Sequence, residues 1–287
     1  MNGTVTLTIR QFRRATFKAV NSSQPALIRV LAGTKRVRSI LGAMDVGAGG
    51  VAVLVPRLDM TIENCPAPDS PYQAQIMIIP EELVGCTDRA DGDTGNPMRA
   101  TTRERVVAAF DRSAVYARDP AVPERIRLNA VREVLLWLAE EGIGFGRLRQ
   151  PLLADRLRAI LSADPGREWR SAEAAEMLAV SEPTLRRQLA QNGASFGVLL
   201  ADVRMSVALG MLQSSDLPVN RVALDVGYAC PSRFAVRFRK RFGLAPSSIR
   251  MAATQGDDRA SLDAAPAFDR IGTKNDRSGT IPVVSEA

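Results

Sequence analysis

Three phenylalanines recur at four-residue spacing, Phe234, Phe238 and Phe242, in a run that carries Arg233, Arg237, Arg239, Lys240 and Arg241 and no acidic residue. Residues four apart share one face of an α-helix. The run therefore predicts a helix anchored along one seam and cationic elsewhere. Just upstream, Val219, Val222, Ala223 and Val226 can form the apolar face of a preceding helix. Gly227 supplies the left-handed conformation that a tight helix exit prefers, and Pro231 suits the first turn of the next helix. Helix, short turn and second helix make a helix-turn-helix, whose second helix enters the major groove of DNA. Taken alone, the basic run also reads as a solvated surface helix.

A looser copy lies earlier, over Ser171–Gln191. Ala172, Ala175, Met177 and Leu178 are assigned to the buried face of its first helix, and Ala179-Val180-Ser181 to a break. Ser181 is a good N-cap, with Glu182 and Pro183 in the first turn. Leu185 and Leu189 bury, leaving Arg186, Arg187 and Gln188 on other faces. Charge follows the same region. The 287-residue chain has a formal net charge of +7, and residues 150–252 hold 14 Arg or Lys against 9 Asp or Glu. Net charge alone is weak evidence for an anionic partner.

Several chemistries drop out early. The chain has no histidine, which removes Ser-His-Asp and Cys-His machinery and histidine-ligated metal sites. Cys65, Cys86 and Cys230 are dispersed, form no CxxC pair and suit a reducing compartment. No phosphate loop is visible. The expectation is no catalytic residue, no metal and no cofactor. No basic region followed by an apolar stretch opens the chain, and the apolar run near Gly49–Pro56 is too short to span a bilayer. The reading is a cytoplasmic protein with no membrane partner.

Residues 1–100 read as β-rich. Val5, Leu7 and Ile9 alternate with polar residues, and Ala26–Leu31, Gly50–Val55 and Gln75–Ile79 are short apolar runs between turn signals. Asp88–Arg99 reads as a loop. Residues 101–149 are a helical connection. Within it, Ile126, Leu128, Val131, Leu135 and Leu138 form one helical stripe. That stripe either packs on the β domain or forms a homodimer seam through Leu128, Val131, Leu135 and Leu138. Residues 150–252 are helical throughout, with their own apolar faces and no strand to borrow. Residues 253–287 read as a disordered tail.

The sequence from Val222 to Arg250, VALDVGYACPSRFAVRFRKRFGLAPSSIR, resembles the signature of AraC/XylS-type transcriptional regulators. The likeness rests on Ala223, Gly227, Tyr228, Ser232, Phe234, Phe238, Phe242-Gly243, Pro246 and Arg250. Gly193, Ser195, Phe196, Arg204, Ala208 and Leu212 resemble the family's linker helix, and Ser181, Leu185 and Arg187 its first motif. Three positions depart: Ala179 stands where glycine is common, Pro231 where Gln or Glu is frequent, and Val236 where Arg is frequent. The resemblance implies an α+β chain, with a β-rich cupin-like sensor domain followed by an all-α DNA-binding domain of two helix-turn-helix motifs joined by a linker helix. It implies two recognition helices about 34 Å apart, one DNA turn, entering successive major grooves.

On that reading, Glu182, Arg186 and Arg187 belong to the first recognition helix. Ser232, Arg233, Val236 and Arg237 read bases from the second, and Arg239, Lys240 and Arg241 grip phosphates. The implied function is a sequence-specific regulator of double-stranded promoter DNA. It would be an activator meeting RNA polymerase, controlled by a small-molecule or protein effector. Separately, Lys18, Arg29, Lys35, Arg36 and Arg38 crowd the early β region, which reads either as an exposed basic strand surface or as a site for an anionic ligand such as a fatty acid, with Lys18, Arg29 and Lys35 the effector candidates. An enzymatic N-terminal domain and a non-specific nucleoid-type binder are the competing readings.

Overall fold

The computed structural model describes residues 5–87 and 94–249. Arg250, the expected tail and residues 88–93 of the expected loop lie outside the described residues. Residues 94–99 form neither helix nor strand.

Among the described residues nine strands make two antiparallel sheets. β1 (Val5–Gln11), β8 (Tyr72–Ile78), β3 (Ala26–Ala32), β6 (Val51–Leu54) and β9 (Ala100–Thr101) lie in that order in the first. β2 (Ala15–Val20), β7 (Met60–Cys65), β4 (Thr34–Ser39) and β5 (Gly42–Gly47) make the second. Ile28, Val30, Ala52, Leu54 and Ala74 of the first sheet meet Val37, Val46 and Ile62 of the second in one apolar cluster.

The four runs recognised in the sequence all fall in the first sheet, and the second was missed whole. Helices cover the outer face of the first sheet, so both its faces are dry and a strand such as β6 is buried at every residue. Such strands read as continuous apolar runs. The second sheet exposes one face, and β4 reads TKRVRS, which hides its single inward valine among charges.

α1 (Glu104–Arg118) and α2 (Glu124–Glu140) provide that cover. Val131, Leu135 and Leu138 of α2 have no exposed surface and pack with Leu27, Val51, Val53 and Met77, and Leu128 sits partly buried beside them. This decides between the two readings of the stripe. The proposed homodimer seam is incorrect, because its side chains already fill the space between helix and sheet.

Six further α-helices follow among the described residues: α3 (Leu153–Ala163), α4 (Ser171–Met177), α5 (Glu182–Gln191), α6 (Phe196–Ser214), α7 (Val219–Asp225) and α8 (Pro231–Phe242). α4 buries Ala174, Ala175 and Leu178, whereas Ala172 is exposed and Met177 is half exposed, which shifts the expected face. α6 serves two cores. Leu199 and Val203 pack with α3 to α5, while Met205, Ala208, Leu209 and Leu212 pack with α7 and α8. Among the described residues α6 is the one helix long and apolar enough to cross a membrane. Its apolar residues, however, are divided between two protein cores.

The second core contains a surprise. Ala15 and Phe17 of β2 belong to it, and the Phe17 ring meets Phe242 edge-on at 5.6 Å between centroids. Residues 150–252 thus do borrow a strand. A bulge between Phe17 and Val20, with Ala19 at φ 51°, interrupts the β2–β7 register. Bulges re-aim the backbone, and here the carbonyls of Lys18 and Ala19 accept hydrogen bonds from Arg241 at 2.6 and 3.1 Å. Phe17→Ala should cost about 3–5 kcal/mol, the usual range for emptying a buried phenylalanine site. Urea unfolding of the full chain, followed by circular dichroism, measures it. A loss below about 1 kcal/mol would show that the strand only rests on the helices.

Candidate nucleic-acid interface

In the first motif, α4 ends on Ala179 at φ 57°, the left-handed conformation that normally selects glycine. The Ser181 hydroxyl then caps α5, accepting the Thr184 amide at 3.3 Å. Leu185 and Leu189 fix α5 to its core, leaving Arg186 and Arg187 exposed. Glu182 behaves differently from its neighbours. Its carboxylate accepts the Ser171 hydroxyl at 2.5 Å and stands 3.8 Å from Arg186, so it braces the two helices of the motif.

In the second motif, Gly227 makes the exit from α7 at φ 83°. Phe234, Phe238 and Phe242 are buried in α8. Ser232, Arg233, Val236, Arg237, Arg239 and Lys240 are all exposed on the remaining faces. Gly243, at φ 76°, closes the helix with a hydrogen bond to the Arg239 carbonyl. Arg241 is the exception among the assigned cations. Its guanidinium is held by Asp202 at 3.1 Å and by the two β2 carbonyls, with 19% of its side chain exposed. The phosphate role expected for Arg241 is therefore incorrect: its position on α8 turns it toward the Phe seam and the sandwich.

Arg204, in the middle of α6, ties the two motifs together. It donates to the carbonyls of Pro165 and Arg167, in the loop before α4, at 2.9 Å each. It also donates to the Gly227 carbonyl, in the turn of the second motif, at 3.1 Å. The guanidinium lies 5.9 Å from the centre of the Tyr228 ring. A side chain at position 227 would meet it at 2.6 Å. Gly227 thus has two reasons to be glycine, its backbone angle and this close approach. The sequence marked Arg204 only by family spacing, because its acceptors are backbone carbonyls that no residue pattern reports.

The fold and site define a paired helix-turn-helix protein with a β-sandwich at its N-terminal end. Residues 174–252 match the helix-turn-helix domain family HTH_18, which is AraC-type. A stretch of 99 residues is 31% identical to the urease operon transcriptional activator of Escherichia coli, covering 34% of this chain and 33% of that protein. Over 129 residues the chain is 29% identical to the regulator GadX of Escherichia coli, covering 45% of this chain and 47% of that one. The match thus spans about a third to a half of the length of these relatives. The structure of ToxT from Vibrio cholerae is similar over 86% of this chain and 97% of that chain, with a TM-score of 0.58 and 13% identity. The two share a fold from sandwich to paired motifs.

The three effector candidates do not converge. Lys18 is exposed. Arg29 lies on the helix-covered side of its sheet, paired with Asp111 of α1. Only Lys35 points into the sandwich, 3% exposed. It donates to Asn64 Oδ1 at 2.8 Å and lies 5.5 Å from the centre of the Tyr72 ring. Asn64 in turn donates to Gln11 Oε1 at 3.0 Å, and the same oxygen accepts Gln213 Nε2 of α6 at 2.9 Å. The Tyr72 hydroxyl is buried and has no hydrogen-bond partner among the described residues. Sequence reading missed Gln11, Asn64, Tyr72 and Gln213, since isolated polar residues in strands carry no signal until register brings them together.

Burial pushes Lys35 down to about 7. Between that value and the ordinary lysine range the unfolded chain binds the extra proton, so stability rises with pH through this window, by up to about 1.4 kcal/mol per unit. Lys35→Met should raise stability at pH 6.5 and flatten that slope between pH 7 and 10, read by urea unfolding across pH. An unchanged slope would place the lysine in contact with water. Arg204→Ala should cost about 3 kcal/mol, because charge-assisted hydrogen bonds to three backbone carbonyls, two of them part-buried, are lost together. Arg204→Lys should not restore it, since one ammonium cannot span the acceptors of a planar fork. Thermal melts of both variants check this, and full rescue by lysine would reduce the clamp to simple charge.

Proposed function

We propose that this chain is a sequence-specific DNA-binding transcription regulator, working in the cytoplasm as an activator that meets RNA polymerase, and that it is not an enzyme. The observation that carries this reading is the pair of exposed recognition helices, α5 and α8, set on one rigid helix by Arg204. α6 has 19 residues, a length of about 28 Å, which suits two helices entering successive major grooves about 34 Å apart. Arg186 and Arg187 serve the first groove. Ser232, Arg233, Val236 and Arg237 face the second, with Arg239 and Lys240 on phosphates. Glu182 contributes by holding α5 in place. Two of the relatives are described as transcriptional activators, which supports the sign of regulation.

Control comes through the sandwich, by a small ligand or a partner protein. Residues 1–100 sense, 101–149 cover the sandwich, and 150–252 bind DNA. One ToxT structure is described as bound to an unsaturated fatty acid. By the same fold, a carboxylate ligand in this chain would meet Lys35 and the unpartnered Tyr72 hydroxyl, while Lys18 and Arg29 take no part.

Arg237 and Lys240 separate reading from gripping. An arginine paired with guanine is worth about 1–3 kcal/mol of discrimination. Arg237→Ala should lose that much on a selected duplex and little on a scrambled one. Lys240→Ala should weaken both alike and lower the salt slope by about one unit. Fluorescence anisotropy at several salt concentrations distinguishes them. Equal affinity of the wild type for selected and scrambled DNA would replace this reading with non-specific binding.

A further inference from the structure

Val236 is the one apolar side chain among the assigned reading residues of α8, and 71% of it is exposed. At about 100° per residue it lies roughly 160° around the helix from the mean direction of the Phe234–Phe238–Phe242 seam. It therefore stands near the middle of the face opposite the core, between Ser232 and Lys240 on one helical row and beside Arg233 and Arg237. Among the described residues none covers it. A β-branched residue is a poorer helix former than the lysine or arginine around it, and here no packing offsets that cost. Its side chain is short, stiff at χ1 and unable to hydrogen-bond any base edge. The feature of the major groove that such a group complements is the thymine C5 methyl. The resemblance to the AraC/XylS family places an arginine frequently at this position, and arginine there suits guanine.

We infer that Val236 contacts the C5 methyl of one thymine in the half-site read by α8 and so fixes thymine at that position. This rests on the regulator reading above. The neighbouring cations hold α8 in the groove, so a methyl group packed against Val236 would be removed from water. Burial of one such group is worth about fourfold in affinity.

The test begins by selecting duplexes from a random pool with the full chain. Each thymine of the selected site is then replaced singly by deoxyuridine, which lacks only the C5 methyl. One replacement in the α8 half-site should weaken wild-type binding about fourfold. Val236→Ala should bind the thymine duplex about fourfold more weakly and lose its sensitivity to that one replacement, while keeping its sensitivity elsewhere. Circular dichroism would verify that the variant, altered only at an exposed position, keeps its helices. A wild type indifferent to every uracil in that half-site would overturn the inference alone, as would full methyl sensitivity in Val236→Ala. If the pool yields no preferred sequence, the regulator reading fails and takes this inference with it.

Discussion

The guanidinium of Arg204 sets the geometry on which the helical half depends. Three backbone carbonyls from two separate motifs converge on one planar cation. The positive charge also sits beyond the C-terminal end of α7, where the helix dipole favours it. Because α6 contributes Leu199 and Val203 to one core and Leu209 and Leu212 to the other, the two recognition helices cannot turn independently. Small changes along α6 are thereby passed to both α5 and α8. A pair of motifs on a flexible linker would have to be ordered on DNA, at an entropic cost; this pair is already ordered.

The sandwich treats the two motifs unequally. β2 lends Ala15 and Phe17 to the core of the second motif, and Arg241 grips its bulge. Gln213 of α6 reaches Gln11 at the end of β1. On the other side, Arg149 bonds the Arg57 carbonyl at 2.8 Å and Asp155 at 2.5 Å, fixing the start of α3 to the sandwich. The polar chain from Lys35 through Asn64 and Gln11 to Gln213 runs from the sandwich interior to the linker helix. A ligand that recruits Lys35 would draw on the same hydrogen bonds that hold α6.

How much of this was legible depends on where the information sits. The second helix-turn-helix was readable because its determinants are local: a phenylalanine every fourth residue, a glycine at the turn, a proline at the next helix start. The first sheet was readable because burial on both faces makes a strand such as β6 apolar throughout, and β1 alternates apolar with polar residues. The second sheet was not, since Lys35, Arg36 and Arg38 disguise β4 and only pairing with β7 shows which of them turns inward. The α2 stripe was visible, but periodicity cannot say whether a sheet or a second copy covers it. Arg241 looked like its neighbours Arg239 and Lys240. Only the arrival of β2, more than two hundred residues earlier in sequence, distinguishes it.

That long separation has a consequence for synthesis. β1 and β2 are the edge strands of their sheets, and both are covered by elements from the far end of the chain, α6 and α8. A nascent chain leaves the ribosome N-terminus first. The sandwich can therefore assemble while Phe17 and an open strand edge remain bare, and bare edges invite pairing with other chains. The recognition helix is thus also the last lid of the sandwich. Protein interrupted before residue 242 would lack more than the exposed face of α8, because it would display the adhesive edge that this helix conceals.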